Sequence, residues 1–295
     1  MRKAALANAV TVRFFMPSPA LAPYVTTYYL TEVDLPAGEA IEDWLHPEWA
    51  NLRFASTADW QGAIGDAPLR VMPRFAASGP TCHATRFRNT AMRSWGIGLL
   101  PLGWARLVDV PAADHADRTC DGQVDPAFEQ FAPLLALLFD NAPDPVAEAA
   151  TIDAHLLGQL AARPVPDDEA KVHAAHTALL DPDIGTVAAL ADRLNISPRS
   201  LERLSLRAFG FPPKLLLRRQ RFLRSLAQFM LDPSLSWIRT LDWLYVDQAH
   251  FVRDFKSFMG MSPTRYASLE HPVLRAAAQA RAAATGEAVQ ALHRP

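Results

Sequence analysis

Arg199, Arg203 and Arg207 recur every four residues, with Ser200 and Glu202 between them. A guanidinium presents parallel N–H donors that fit the O6 and N7 acceptors of guanine or clasp a phosphate. A carboxylate can accept from a cytosine amino group, and a hydroxyl serves base edges or backbone alike. Gln248, His250, Arg253 and Lys256 form a second set of the same character. Other chemistry has less to stand on. His46, His83 and His115 include no HxH pair and no carboxylate at ligand spacing, so no metal site is expected. Gly96, Gly98 and Gly103 make a glycine-rich run, but Pro101 interrupts it and no Gly-Lys-Ser/Thr follows, which argues against a phosphate loop. Cys82 and Cys120 lack a CxxC arrangement and read as free thiols. No catalytic constellation and no cofactor is expected.

Reading groups need rigid elements behind them. Val187, Leu190 and Leu194 mark the inner face of one helix, Asn195 and Ile196 a tight turn, Ser197 an N-cap and Pro198 a first helical position. Leu201, Leu204 and Ala208 then line the back of a second helix. At about 100° per residue, Arg199 and Arg203 point away from that stripe, with Ser200 and Arg207 flanking. The pattern predicts a helix-turn-helix. A second unit is predicted from a helix over 235–244, a turn at 245–247 and a helix over 248–259. There Phe251, Phe255 and Phe258 are the inner stripe, Arg253 and Lys256 face outward, and Gln248 and His250 sit near the helix start. A long basic helix over 213–231 joins the units. Its arginines Arg218, Arg219, Arg221 and Arg224 are expected to face phosphate or solvent, with Arg219 a phosphate contact.

The stretch 241–266 resembles the signature of the AraC/XylS family through Asp247-Gln248, His250-Phe251, Arg253, Phe255, Gly260, Ser262-Pro263 and Tyr266. Leu190-Ala191, Ser197, Leu201, Arg203, Gly210 and Pro212-Pro213 carry the likeness through the first unit. The resemblance covers about a hundred residues and implies a DNA-binding domain with two reading heads. It departs at Leu244, where the family usually has glycine, and at Arg239 and Thr240, usually small or apolar positions. The second unit is therefore expected to differ from the first in tilt or in how much sequence it reads. Leu21–Tyr29, Gly79-Pro80 and 93–108 resemble, more loosely, the β-barrel-like regulatory domains that precede such DNA-binding domains.

Bulk properties agree. Residues 1–166 carry 12 Lys and Arg against 18 Asp and Glu, residues 167–295 carry 17 against 13, and 193–224 hold nine basic residues against Glu202 alone. A basic segment on an otherwise acidic chain is the electrostatic footprint of a nucleic-acid binder. Strands are expected at 24–33, 51–56, 70–75, 85–90 and 93–100, and helices after Asp125 and over 146–162. The expected fold is multi-domain α+β. A β-rich, barrel-like sensor or dimerisation domain spans 1–140, with helices trailing it. A helical linker covers 141–166, an all-α DNA-binding domain with two helix-turn-helix units 167–268, and an Ala-rich tail without assigned function 269–295. No apolar run is long enough for a membrane helix, and the N-terminus lacks the features of a signal peptide, so a cytoplasmic location is expected. The expected partners are double-stranded promoter or operator DNA, a small-molecule effector, RNA polymerase and a second copy of the chain, with no membrane. The alternative is a cupin-type enzyme fused to a DNA-binding domain, which the missing ligand cluster disfavours.

Overall fold

The computed structural model describes residues 9–231, 237–286 and 288–295. Among the described residues the N-terminal half forms ten strands: β1 (Val10–Phe15), β2 (Val25–Val33), β3 (Ile41–Leu45), β4 (Asn51–Ala55), β5 (Trp60–Ile64), β6 (Arg70–Val71), β7 (Phe75–Ser78), β8 (Thr85–Asn89), β9 (Met92–Leu99) and β10 (Thr119–Asp121). They form two antiparallel sheets, ordered β1-β2-β9-β4-β7-β10 and β3-β8-β5-β6. The β-rich expectation holds, with two open sheets in place of a closed barrel.

The larger sheet is covered on both faces. Side chains alternate along a strand. Tyr28 and Leu30, Leu52 and Phe54, and Ile97 and Leu99 therefore enter one core, while Tyr29 and Thr31, Arg53 and Ala55, and Met92 and Ser94 face the space between the sheets. That core is closed by α1 (Pro101–Leu107), α2 (Leu134–Phe139) and α3 (Pro145–Ala161). Phe128 and Phe131 enter it from a 3-10 turn rather than from the expected helix, because Pro133 separates that turn from α2. Asp144 caps α3 by accepting from the N–H groups of Val146 and Ala147.

The rest is helical: α4 (Glu169–Leu180), α5 (Val187–Leu194), α6 (Pro198–Phe209), α7 (Pro213–Leu231), α8 (Gln248–Met259), α9 (Pro263–Ser268) and α10 (Pro272–Thr285). These helices do not close a core of their own. Trp49, Cys82, Ala84, Leu100 and Leu102 from the β-rich half share one buried cluster with Phe209, Leu216, Phe222, Phe255 and Phe258.

The Ala-rich tail is where the structure adds most. Helix α10 packs across β1 and β3. Its first turn is capped from the sheet by Asp43, which is fully buried and accepts from the N–H groups of Val273 (3.0 Å) and Leu274 (2.9 Å). The other oxygen of Asp43 lies 2.8 Å from His271 Nδ1. Beyond α10, Gln290 accepts from the Trp49 N–H at 2.7 Å. Gly98 is what lets Gln290 approach, since a Cβ there would lie 2.6 Å from Gln290 Nε2.

Candidate nucleic-acid interface and regulatory cavity

The first helix-turn-helix forms as its residues require. Thr186 caps α5, and Asn195 ends it in the left-handed conformation at φ 50°, which a short polar side chain tolerates. Ser197 caps α6 by accepting from the Ser200 N–H at 3.2 Å, and Pro198 takes the first helical position. Leu201, Leu204 and Ala208 are buried, so Arg199, Glu202 and Arg203 are left exposed on the opposite face. Neither Arg199 nor Arg203 forms an ion pair among the described residues. Ser200 is half-buried and its hydroxyl accepts from that of Ser197. Arg207 is exposed but ion-paired with Asp168, just before α4.

The second unit has a well-formed outer helix. Asp247 caps α8 by accepting from the His250 N–H at 2.6 Å, and Gly260 ends it at φ 68°. Phe251, Phe255 and Phe258 are buried, and Gln248, Arg253 and Lys256 are exposed. Of the helix expected over 235–244, residues 235–236 lie outside the described residues, and 237–244 do not form an α-helix. A 3-10 turn covers Trp237–Thr240, and non-helical chain follows. Asp242 explains part of this. Its carboxylate accepts from the Leu244 N–H at 3.0 Å and pairs with Arg224, while its own N–H donates to Ser225 Oγ at 2.8 Å. Side-chain bonds of this kind offer the backbone an alternative to the helical ladder. Leu244 leans over Gly185, where an added Cβ would meet Leu244 Cδ2 at 3.2 Å.

The basic linking helix corrects a sequence expectation. Arg219 is fully buried, stacks 3.9 Å from the ring centroid of Trp49 and donates from Nη1 to the carbonyl of Thr81 at 2.9 Å. It clamps the two halves of the chain together and has no route to a phosphate in this arrangement, because its position on α7 faces the β-rich half. Its neighbours are also engaged. Arg218 and Arg221 both pair with Asp254, at 2.7 and 2.9 Å, and Arg224 pairs with Asp242. Burial pushes the Asp254 carboxyl up, but the two guanidiniums more than reverse it and hold it below the usual range. His250 is half-buried, and its Nε2 lies 3.0 Å from Arg221 Nη2, so the ring accepts a hydrogen bond within the domain.

Between the two sheets lies a cavity of about 140 Å³. Trp60, Met72, Phe87 and Met92 give it apolar walls, and Tyr29, Arg53, Glu48 and Asn89 contribute polar groups. Its remaining wall is the C-terminal tail, through Val273, Leu274, Ala278, Arg281 and Gln290. Nothing in the sequence marked the tail for this place, because its alanine spacing reads equally well as an exposed helix.

The histidines are spread over different surroundings. His46 lies 2.7 Å from Tyr266 Oη and burial pushes it down to about 3; His83 faces Asp117 at 3.0 Å. His115 brings one ring nitrogen within 4.8 Å of Cys120 Sγ and an Asp125 oxygen, a group of described residues that could together hold a metal ion. Burial and Asp125 push the Cys120 thiol up to about 12. Spacing could not show this trio, since the chain brings it together through β10 and the turn after it.

Residues 190–268 match the family model of a helix-turn-helix domain. The class of protein is thereby that of DNA-binding transcription regulators. Within that class the matched domain, in which α7 joins the outward-facing helices α6 and α8, is of the AraC type. No curated protein matches the chain. Among solved structures, it is similar to ToxT from Vibrio cholerae, at 9% identity over 88% of this chain and 97% of ToxT, with a TM-score of 0.43. Unsaturated fatty acid-bound wild-type ToxT from Vibrio cholerae strain SCE256 is 10% identical over 88% of this chain and 94% of its own, with a TM-score of 0.42. The AraC-like transcriptional activator CuxR is 16% identical over 77% of this chain and 90% of its own, with a TM-score of 0.25. No described helix is long and apolar enough to cross a membrane.

Proposed function

We propose that this regulator reads operator DNA through the exposed faces of α6 and α8, and that a small molecule in the inter-sheet cavity sets how the DNA-binding half is held. Arg199 and Arg203, with Glu202 and Ser200 beside them, meet base edges. Arg207, Gln248, Arg253 and Lys256 add backbone or base contacts, and His250 positions the start of α8. RNA polymerase and a second copy of the chain are further partners consistent with this role.

One observation carries the regulatory part. The short segment from His46 to Trp49 belongs to the cavity and to the domain junction at once. Glu48 lines the cavity, while its carbonyl and that of Thr81 face Arg219 of α7 at 3.4 and 2.9 Å. Trp49 beside it packs on Arg219, His176 and Phe209. A ligand that shifts the cavity wall therefore acts directly on the helix joining the two reading heads.

Genome-wide mapping of bound DNA gives the operator, and titration of that operator gives the test. Wild type is compared with Ala76→Phe, which fills the cavity from β7. Both are expected to bind the operator, and only the wild type is expected to change affinity with cellular small-molecule extract. An equal response from both would remove the cavity from regulation.

A further inference from the structure

The cavity wall contributed by the tail holds a charge without a counter-charge. Arg281 lies in the third turn of α10, is 6% exposed and lines the cavity. Its guanidinium sits 4.7 Å from the ring centroid of Phe14, and its Nη1 is buried with no hydrogen-bond partner among the described residues. Burial pulls it down to about 10, so it remains a cation near neutral pH. The carboxylate nearest to it in the lining is already engaged: Glu48 pairs with Arg53 and accepts from Asn51 Nδ2 at 3.3 Å. Tyr29, the neighbouring hydroxyl, donates to Asn51 Oδ1 at 2.9 Å. Among the described lining residues the formal charge is therefore two guanidiniums against one carboxylate, with His46 neutral. An unpaired buried guanidinium is costly and rare. A planar fork of donors in an apolar cavity is suited to a carboxylate.

Resting on the reading of this cavity as the effector site, we propose that its ligand is a small monocarboxylic acid with a compact apolar body, and that its acid group pairs with Arg281. One negative charge balances the lining, whereas a dianion would leave a buried charge of the opposite sign. The size of the cavity sets the body, since an apolar cavity of about 150 Å³ accepts a ligand the size of benzene. Trp60, Met72, Phe87 and Met92 provide the walls for such a group. Because Arg281 belongs to the tail and not to the sheets, the ligand bridges the two. Occupancy fastens α10 across the sheets, and with it the segment that follows α9 of the DNA-binding half.

The experiment compares matched acids and amides on the full chain: benzoate with benzamide, and hexanoate with hexanamide. Binding is followed by calorimetry, and the tail by hydrogen exchange of the amides in α10. The acids are expected to bind wild type at least tenfold more tightly than the amides and to slow exchange in α10. Arg281→Met is expected to erase the acid preference. Amides that bind wild type as well as acids, an acid preference that survives in Arg281→Met, or no binding by any of the four would each overturn the assigned ligand class. The wild-type comparison stands even if the variant fails to fold. None of these outcomes decides whether the cavity is regulatory, because the Ala76→Phe comparison on operator DNA answers that separately.

Discussion

Arg219 of α7 lies over the indole of Trp49 at 3.9 Å, and this pair joins the helix between α6 and α8 to the loop that walls the cavity. The guanidinium is fully buried, and its Nε and Nη2 have no hydrogen-bond partner among the described residues. It is held by the aromatic face and by two carbonyls of the β-rich half. A buried cation over a desolvated tryptophan is worth more than the same contact at a surface.

Arg219→Met is expected to loosen this junction without touching the DNA-facing surface. Losing the bonds to the carbonyls of Thr81 and Glu48 costs about 1–3 kcal/mol for each buried acceptor left unsatisfied. Denaturant unfolding of the full chain measures that loss. The salt dependence of operator binding should keep its slope, whereas a slope lower by about one unit would return Arg219 to the phosphates.

How much of this was legible in sequence differs by element. Helices α5, α6, α7 and α8 are readable because Ser197, Pro198, Asn195 and Asp247 are caps and turn residues whose effect is local. Strands β2, β4, β8 and β9 carry enough β-branched and aromatic residues to show. Strands β1, β3 and β5 were not found, since Arg13, Glu42, Asp43 and Gly62 interrupt their apolar runs and only pairing within the sheets fixes them. The outward face of α6 follows from helical spacing alone. The burial of Arg219 does not, because an arginine on a basic helix has the same local pattern whether a protein or a phosphate lies opposite. The tail was opaque for a related reason: its partners, Asp43 and Trp49, are more than 200 residues away in the chain.

Arg203 offers the contrasting prediction. It is exposed on α6 between the buried Leu201 and Leu204, so its loss should leave folding intact. Arg203→Ala is expected to weaken cognate binding by about 1–3 kcal/mol and to relax preference at one or two base positions. Titration against cognate and scrambled duplexes at several salt concentrations checks this. An equal loss on both duplexes would make Arg203 a phosphate clamp.

Asp43 should control the tail. Its carboxylate holds the first turn of α10 and His271 together, and it is fully buried. Asp43→Ala removes an N-cap and leaves two buried N–H groups without an acceptor, a loss of about 1–3 kcal/mol. The tail should then become accessible to protease, with α10 cleaved well before α6 or α8. Cleavage at an unchanged rate would mean that Gln290 and the apolar contacts hold the tail without the cap.

His176 sets an acid limit on the domain junction. It is fully buried between Trp49 and Phe209, and neither ring nitrogen has a hydrogen-bond partner among the described residues. Burial pushes it down to about 3, with His293, His173 and Arg219 adding to the effect. In the unfolded chain a histidine takes up a proton near pH 6.5. Between about pH 6.5 and 3 the unfolded chain therefore binds a proton that the folded chain refuses. Folding stability must fall as pH falls through that window, at up to about 1.4 kcal/mol per pH unit for this group. Above pH 6.5 the ring is neutral in both states and contributes no slope. His176→Phe keeps an aromatic ring between Trp49 and Phe209 and removes the proton uptake. Its stability relative to wild type should rise as the pH is lowered from 7 to 5, leaving the slopes of His46 and His293 in place. Urea unfolding of both proteins at pH 7, 6 and 5 gives the comparison. Parallel losses in the two proteins would show that His176 does not govern the acid sensitivity of this junction.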